Sequence, residues 1–212
     1  MHWLTYIVPR IVLKTSSSYN PEILVVEEAM QYKLLVNGSR ESGPYIAGLW
    51  RHATSKLGVA SALPVQNILV LGVAGGTVIH QLSQMFPKAN ITGVDIDDEM
   101  IRLGKKYFEL DMVPHLSLIT ADARQFVTRK NKKYDLIVLD LFIGREIPVF
   151  VASREFLSTL KGLLAPHGRL FINFLQEKEY GKKADKLDKT LRTLFGTVDS
   201  TDYFNNRFFL VQ

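Results

Sequence analysis

The stretch Asn67-Ile-Leu-Val-Leu-Gly-Val-Ala-Gly-Gly-Thr77 decides how this chain folds. Its first half is aliphatic without polar alternation, which is typical of a parallel strand buried on both faces. Small residues from Gly72 to Gly76 follow, and Val78 to Phe86 then has the periodicity of a helix. We therefore predict a strand, a tight turn and a helix, with a ligand lying on the backbone N–H groups at the start of the helix.

A carboxylate at Asp95 accompanies this glycine loop. It closes the short apolar stretch that begins at Ile91, 19 residues after Gly76. In nucleotide-binding α/β folds, an acid roughly 20 residues past the loop accepts hydrogen bonds from ribose hydroxyls. Loop and acid together predict an adenosine-containing ligand. A dinucleotide fingerprint requires glycine where Ala74 and Thr77 stand, which disfavours a nicotinamide enzyme.

The composition is that of an ordinary globular protein. With 212 residues, 47% hydrophobic and 22% charged, the chain is long enough for one α/β core and a small appendage. Basic residues exceed acidic ones by 26 − 21 = 5, but the charges are scattered, which disfavours a nucleic-acid partner. We expect no signal peptide and no membrane span, and therefore a cytoplasmic location.

Metal and thiol chemistry find no support in the sequence. There is no cysteine, which excludes disulfides, thiolate zinc sites and a cysteine nucleophile. The five histidines are isolated and lack the spacing of metal ligands. We therefore expect no metal site.

Two regions of different pattern follow one another along the chain. Residues 1–58 predict a small β appendage and a connecting helix, and residues 59–212 predict a doubly wound, mostly parallel α/β sheet. In the first region the expected elements are strands 3–13, 23–26 and 32–36, a turn at Asn37-Gly38 and a helix from Pro44 through Leu57. In the second they are strands 67–71, 91–95, 116–119, 135–139 and 169–174, helices 78–86, 153–164 and 177–194, a turn at 165–168, and a hairpin of runs 196–204 and 207–211 split at Asn205-Asn206.

Several blocks of this second region, in a fixed order, resemble class I AdoMet-dependent transferases and in particular the spermidine synthase group. The blocks are Val70 to Gly76, Gly93 to Ile101 with Lys106-Tyr-Phe108, Ala121 to Phe126, Tyr134 to Asp140, and Asn206 to Leu210. The resemblance covers residues 67–212 and, more weakly, the N-terminal strands. It implies the Rossmann-like class I methyltransferase fold, in which a C-terminal hairpin feeds an antiparallel strand into the sheet.

The resemblance also implies a cofactor, which is S-adenosylmethionine or its decarboxylated form. Its amino-acid tail would lie against Gly72, Val73, Ala74, Gly75 and Gly76, and its ribose on Asp95 beside Ile96. Asp122 would hold the adenine amino group, and the backbone N–H of Ala123 would complete the contact. Asp122 is equally suited to cap the helix that follows it, and that interpretation stays open.

Two departures from the family pattern bear on the reaction. In aminopropyltransferases the glycine loop carries an acid where this chain has Gly75, and that acid holds the amine of the decarboxylated cofactor. Its absence removes a repulsion toward the carboxylate of intact S-adenosylmethionine. After Asp140, Ile143 replaces the second acid of the family pattern. We expect Leu141, Phe142 and Ile143 to form an apolar wall for an acceptor of low charge.

The sequence therefore favours methyl transfer from S-adenosylmethionine to a small-molecule acceptor. Asp140 is the candidate for orienting or deprotonating the nucleophile, although a purely structural carboxylate fits the pattern as well. Tyr45 is the candidate for closing the site. Two alternatives stay open: an aminopropyltransferase with an unusual acceptor site, and a non-catalytic scaffold of the same fold. The resemblance also implies a possible homodimer.

Overall fold

The computed structural model describes residues 8–61, 64–129, 131–144, 146–177 and 179–212. The strands are β1 Arg10–Thr15, β2 Ile23–Glu28, β3 Gln31–Val36, β4 Ser39–Ser42, β5 Asn67–Leu71, β6 Asn90–Asp95, β7 Leu116–Thr120, β8 Tyr134–Leu139, β9 Leu164–Leu175, β10 Val198–Tyr203 and β11 Asn206–Val211. The helices are α1 Pro44–Lys56, α2 Thr77–Met85, α3 Asp98–Phe108, α4 Ala123–Thr128, α5 Arg154–Leu163 and α6 Tyr180–Leu194, with short 3-10 turns at Val59–Ser61, Leu110–Met112 and Val149–Ala152.

Strands β5 to β11 form one sheet in the order β10-β11-β9-β8-β5-β6-β7. The pairs among β5 to β9 are parallel, whereas β11 runs antiparallel to both β9 and β10. This confirms the predicted doubly wound sheet with its terminal hairpin. The strand order reverses at β5, which lies between β6 and β8. Ligands of open α/β sheets bind at such a reversal, beyond the carboxyl ends of the strands.

Helices cover both faces of this sheet because its central strands are apolar on both sides. Helices α4, α5 and α6 pack on one face, and α1 and α2 on the other. Trp50 of α1 is fully buried, with its ring 5.3 Å from that of Phe171 and 5.4 Å from that of Phe208. Helix α1 therefore shares the core of the large sheet. The domain boundary at residue 58 stays a prediction.

The four antiparallel strands β1 to β4 form a second sheet, which packs on α3. Ile23, Val25 and Leu34 are fully buried in this contact, against Met100 and Leu103 of the helix. Since α3 begins just after Asp95, this docking brings the small sheet to the predicted ligand site.

Local details differ from the sequence prediction in three places. Strand β4 was not predicted, although the Asn37-Gly38 turn before it has the expected positive φ angles of 49° and 76°. The final hairpin turns at Phe204-Asn205, one residue earlier than predicted, since Tyr203 pairs with Asn206. Strand β9 already begins at Leu164, and its register on β8 shifts where a separate turn was expected. Residues 3–7 of the first predicted strand lie outside the described residues, and the rest of it overlaps β1.

Within the ranges described above, none of the helices combines the length and apolar composition that crossing a bilayer requires.

The turn after β5 depends on the missing side chain of Gly72. Its φ angle is +93°, and a Cβ atom built there would stand 2.0 Å from the carbonyl oxygen of Asp140. Both partners are backbone, so neither can rotate away. The ends of β5 and β8 approach this closely only because residue 72 is glycine.

We expect Gly72→Ala to destabilise the fold by about 3 kcal/mol or more, because a left-handed φ and overpacking combine. Gly48→Ala, in α1, is the matched control, since its added methyl meets nothing within 4 Å and alanine favours the helix by up to about 1 kcal/mol. Urea unfolding of both variants measures the difference. Equal stability of the two variants would contradict this account.

Candidate active site

The backbone N–H groups of the glycine loop bond within the protein. Those of Val73 and Ala74 donate to one oxygen of Asp95, at 2.8 and 3.1 Å. That of Gly75 donates to the Ser42 hydroxyl at 2.8 Å, and that of Gly76 to the carbonyl of Val73 at 2.7 Å. The side chains of Asp95 and Ser42 thus bond three of these loop N–H groups within the protein, and contact of the loop with a cofactor stays a prediction.

A cavity of about 150 Å³ lies beside this loop, beyond the ends of β5, β6 and β8. It brings together the predicted residues Gly72, Val73, Ala74, Asp95, Ile96, Asp122, Ala123 and Asp140. Gly75 and Gly76 are not among its lining residues: Cβ atoms built at these positions would run into Ser42 and Leu110. Contact of these two glycines with a cofactor stays a prediction.

Asp95 and Asp122 occupy this smaller cavity in different ways. The carboxylate of Asp95 also accepts the N–H of Asp97 at 3.0 Å. Burial raises its pKa, while its backbone hydrogen bonds act in the opposite direction. Asp122 caps α4 by accepting the N–H of Gln125 at 2.9 Å. The capping role of Asp122 is therefore present, and its position on the cavity wall is compatible with the adenine contact as well.

The lining of the smaller cavity is acidic. Five carboxyl groups reach it, from Glu41, Asp95, Asp97, Asp122 and Asp140. No lysine, arginine or histidine of the described residues lines it. Such a wall favours a cationic ligand, because buried carboxylates are stabilised by positive charge.

Asp97 ties this cavity to the small sheet and was not singled out from the sequence. It is 1% exposed, and its carboxylate accepts hydrogen bonds from the Ser17 hydroxyl at 2.5 Å, the Asn20 amide at 2.8 Å and the N–H of Glu99 at 3.1 Å. Asn20 and its neighbour Tyr19 also line the cavity. The loop between β1 and β2 therefore forms part of the wall.

A second cavity of about 530 Å³ adjoins the first. The two share Glu41, Asp140, Phe142 and Gly144. Asp140 thus stands where the two cavities meet, at the carboxyl end of β8. This is the position that a group acting between a donor in one cavity and an acceptor in the other must have.

Asp140 is held in place by a line of amides. The side chain of Asn206 donates to Asn173 at 2.8 Å, and Asn173 donates to Asp140 at 2.8 Å. Burial raises the pKa of Asp140 to about 7, although the Asn173 hydrogen bond acts to lower it. The carboxyl group of Asp140 can therefore gain and lose a proton near neutral pH.

Glu41 of β4 is the principal site residue that the sequence analysis missed. Burial and, to a smaller extent, the nearby carboxyl groups of Asp140 and Asp95 raise its pKa to about 8, against a hydrogen bond with Ser39 that acts to lower it. The Asn37-Gly38 turn was the available signal, because a hairpin turn implies a second strand after it. The sequence gives no sign that this strand reaches Asp140.

Other predicted residues are divided between the two cavities. Tyr45 lines the larger one, is 40% exposed, and lies under the guanidinium of Arg40 at 5.5 Å from the ring centre. Leu141 and Ile143 line the smaller cavity only, and Phe142 lines both. Of the predicted apolar wall, Leu141 and Ile143 therefore belong to the smaller cavity, and Phe142 alone also reaches the larger one.

Comparisons with known proteins agree with this fold. Residues 68–168 match a family model described as a methyltransferase domain. A polyamine aminopropyltransferase of Vibrio vulnificus is 35% identical over 62% of this chain and 44% of its own length, so the match spans less than half of that relative. A probable spermidine synthase from Corynebacterium glutamicum has a TM-score of 0.81 at 18% identity, covering 96% of this chain and 80% of that one. Human methyltransferase-like protein 13 in complex with SAH has a TM-score of 0.61 at 23% identity and 79% coverage of each chain.

The hydrogen bonds of Asp97 predict a loss of stability when this residue is replaced. In Asp97→Asn, one acceptor oxygen becomes a donor that faces other donors, which destabilises a buried site by about 2 kcal/mol or more. We expect faster hydrogen exchange in residues 16–20. Asp98→Asn, exposed on the same helix, is the control and changes stability by less than about 1 kcal/mol. Unaltered exchange in Asp97→Asn would show that Asp97 does not hold this loop.

The raised pKa of Glu41 predicts that the stability of the fold depends on pH. Its pKa is raised on folding from 4.5 to about 8, so the folded state holds a proton that the unfolded state releases. The stability this contributes is present at low pH and is lost as the pH rises toward the folded pKa. Glu41→Gln should therefore gain more stability over the natural protein at pH 9 than at pH 5. Thermal unfolding at both pH values measures this, with the exposed Glu155→Gln as a control that shows no such difference.

Proposed function

The chain is spermidine synthase-like and has the class I AdoMet-dependent transferase fold, and we propose that it moves an alkyl group from an S-adenosylmethionine-type sulfonium onto an amine. The observation that carries this proposal is the position of Asp140. It lies at the carboxyl end of a central strand, at the meeting point of the smaller cavity and the larger one. An amine acceptor arrives protonated and must lose its proton before it can attack, so a base is needed at this point.

The described residues fit a cofactor of this type. S-adenosylmethionine and its decarboxylated form both carry a positive sulfur and an ammonium group, and the smaller cavity is lined by carboxyl groups without a basic side chain among the described residues. In the proposal, Asp95 holds the ribose, Asp122 and Ala123 hold the adenine edge, and the chain that bears the sulfur passes Gly72 on the cavity wall. When bound, the cofactor supplies an activated alkyl group.

The chain contributes base catalysis, alignment and desolvation. Asp140 accepts the proton of the acceptor nitrogen, and the Asn206–Asn173 line of amides fixes the orientation of its carboxyl group. The apolar residues around it exclude water. The remaining rate enhancement comes from the alignment of two reactants in adjoining cavities. A displacement at carbon requires the attacking nitrogen, the carbon and the leaving sulfur to lie in line.

We propose methyl as the transferred group, on the basis of Gly75. A Cβ atom at this position would stand 2.6 Å from the Ser42 hydroxyl and 3.1 Å from the Phe108 ring. An acid at position 75 therefore does not fit unless Ser42 moves. The chain lacks the carboxylate that the family pattern uses to hold the amine of the decarboxylated donor.

Aminopropyl transfer is the second candidate, and a specific observation favours it. Among the described residues no cation lines the smaller cavity to pair with the carboxylate of intact S-adenosylmethionine. The decarboxylated donor has no such carboxylate. The aminopropyltransferase of Vibrio vulnificus, at 35% identity, also supports this candidate.

The larger cavity supports an amine acceptor. Glu41 and Asp140 lie at its inner end, and Glu177 lies on its wall, where it accepts a hydrogen bond from Asn205 at 3.0 Å. Because Glu41 and Asp140 both have raised pKa values, the pair offers less than its full negative charge at neutral pH. An amine with one positive charge fits this better than a multiply charged polyamine does.

Calorimetry with S-adenosylmethionine, its decarboxylated form and S-adenosylhomocysteine tests the donor. We expect S-adenosylmethionine to bind more tightly than the decarboxylated form. The reverse order would favour aminopropyl transfer, and no affinity for any of the three would leave only the non-catalytic scaffold.

The variant Asp140→Asn tests whether Asp140 acts as the general base. With a panel of mono- and diamines, release of S-adenosylhomocysteine or methylthioadenosine should fall about 10²- to 10⁴-fold in this variant. Binding of S-adenosylhomocysteine should change little, because asparagine preserves the shape of the site. Glu155→Gln is the control for a carboxyl group away from both cavities. Turnover in Asp140→Asn equal to that of the natural protein would remove Asp140 from the mechanism.

A further inference from the structure

Glu41 and Asp140 form a carboxyl pair at the junction of the two cavities. They come from different sheets, since Glu41 lies on β4 and Asp140 follows β8, and both line both cavities. The groups that face the pair are the Ser39 hydroxyl, the Asn173 amide and a third carboxyl group, that of Asp95.

Among the described residues, the positive charge near the pair lies on the side of the larger cavity. Arg40 lines the larger cavity, with its guanidinium over the ring of Tyr45. The smaller cavity adds the carboxyl groups of Asp97 and Asp122 and, within the described residues, no basic side chain. A cationic ligand in the smaller cavity can supply the charge that balances the pair on this side.

Two carboxyl groups close together in a site shielded from water do not both ionise readily. Because burial raises the pKa of Asp140 to about 7 and that of Glu41 to about 8, the pair holds a proton near neutral pH. In this state only part of the pair is ionised and able to accept a proton from the acceptor amine.

We propose that the positive sulfur of the bound donor expels this proton, so that the Glu41–Asp140 pair becomes a base only once the donor is in place. The inference rests on the proposed function and deepens it. A cation beside a buried carboxyl group favours the ionised form by Coulomb attraction. The pair therefore responds to the charge on the donor and not to the nucleoside as such.

The proton balance closes over one cycle. Donor binding releases one proton from the pair to solvent. The ionised pair then takes a proton from the acceptor ammonium, which leaves a neutral amine. The amine nitrogen forms its bond to carbon as the carbon–sulfur bond breaks, and the electron pair of that bond stays on sulfur. The products are an alkylated ammonium and a neutral thioether, and the pair holds its proton again, as at the start.

Titration calorimetry at pH 7.5, in phosphate and in Tris, tests this directly. The dependence of the binding enthalpy on the ionisation enthalpy of the buffer gives the number of protons released. We expect about one proton per S-adenosylmethionine and less than about 0.2 per S-adenosylhomocysteine. The two ligands share the nucleoside and the amino-acid tail and differ by one methyl group and one positive charge. If only the decarboxylated donor binds, decarboxylated S-adenosylhomocysteine provides the same comparison.

Two variants locate the proton. Glu41→Gln should release less than about half as many protons with the sulfonium ligand, while it still binds S-adenosylhomocysteine. Glu177→Gln removes a carboxyl group of the larger cavity only and should leave the proton number unchanged. Equal proton numbers for the sulfonium and the thioether, or an undiminished release in Glu41→Gln, would overturn this inference alone. Absence of binding by all four nucleosides would overturn the proposed function together with it.

Discussion

The close contact between Gly72 and the backbone of Asp140 is the constraint on which this site depends. The ends of β5 and β8 can meet only where one residue lacks a side chain and has a left-handed φ angle. That meeting places Asp140 beside the loop that precedes α2. The same loop is fixed on its other side by Asp95, whose carboxylate accepts two of its N–H groups. The loop, Asp95 and Asp140 are thus held together by hydrogen bonds and a close backbone contact.

The second constraint on the site is the negative charge of the residues that line the smaller cavity. The smaller cavity collects five carboxyl groups without a basic partner among the described residues, which is unfavourable in a protein interior unless protons or a cationic ligand compensate. Burial raises the pKa of all three of Asp95, Glu41 and Asp140; backbone hydrogen bonds oppose this at Asp95, and at Glu41 and Asp140 bound protons compensate. A sulfonium ligand can replace those protons. The acidity of the wall is therefore both a recognition feature and a source of proton coupling.

The small N-terminal sheet completes the site. Its contact with α3 brings Ser42 to Gly75 and Asn20 to Asp97, through hydrogen bonds of 2.8 Å each. It also supplies Glu41, half of the carboxyl pair. A chain with the large sheet alone would keep the nucleoside cavity open on one side and would lack this second acid. The appendage is thus part of the active-site wall, which is why its docking on α3 matters for function.

The sequence by itself determined the doubly wound sheet, the loop at 72–76, and the grouping of Asp95, Asp122 and Asp140. These features follow from local patterns: apolar strands, small residues at a turn, and acids at strand ends that a parallel sheet brings to one edge. Only the tertiary structure decided the role of Glu41, the placement of Leu141 and Ile143 on the nucleoside side, and the occupation of the loop N–H groups by Asp95 and Ser42. Each of these depends on contacts between segments that are distant in the chain. Periodicity and spacing describe the neighbours of a residue along the chain, and they carry no information about which remote strand packs against it.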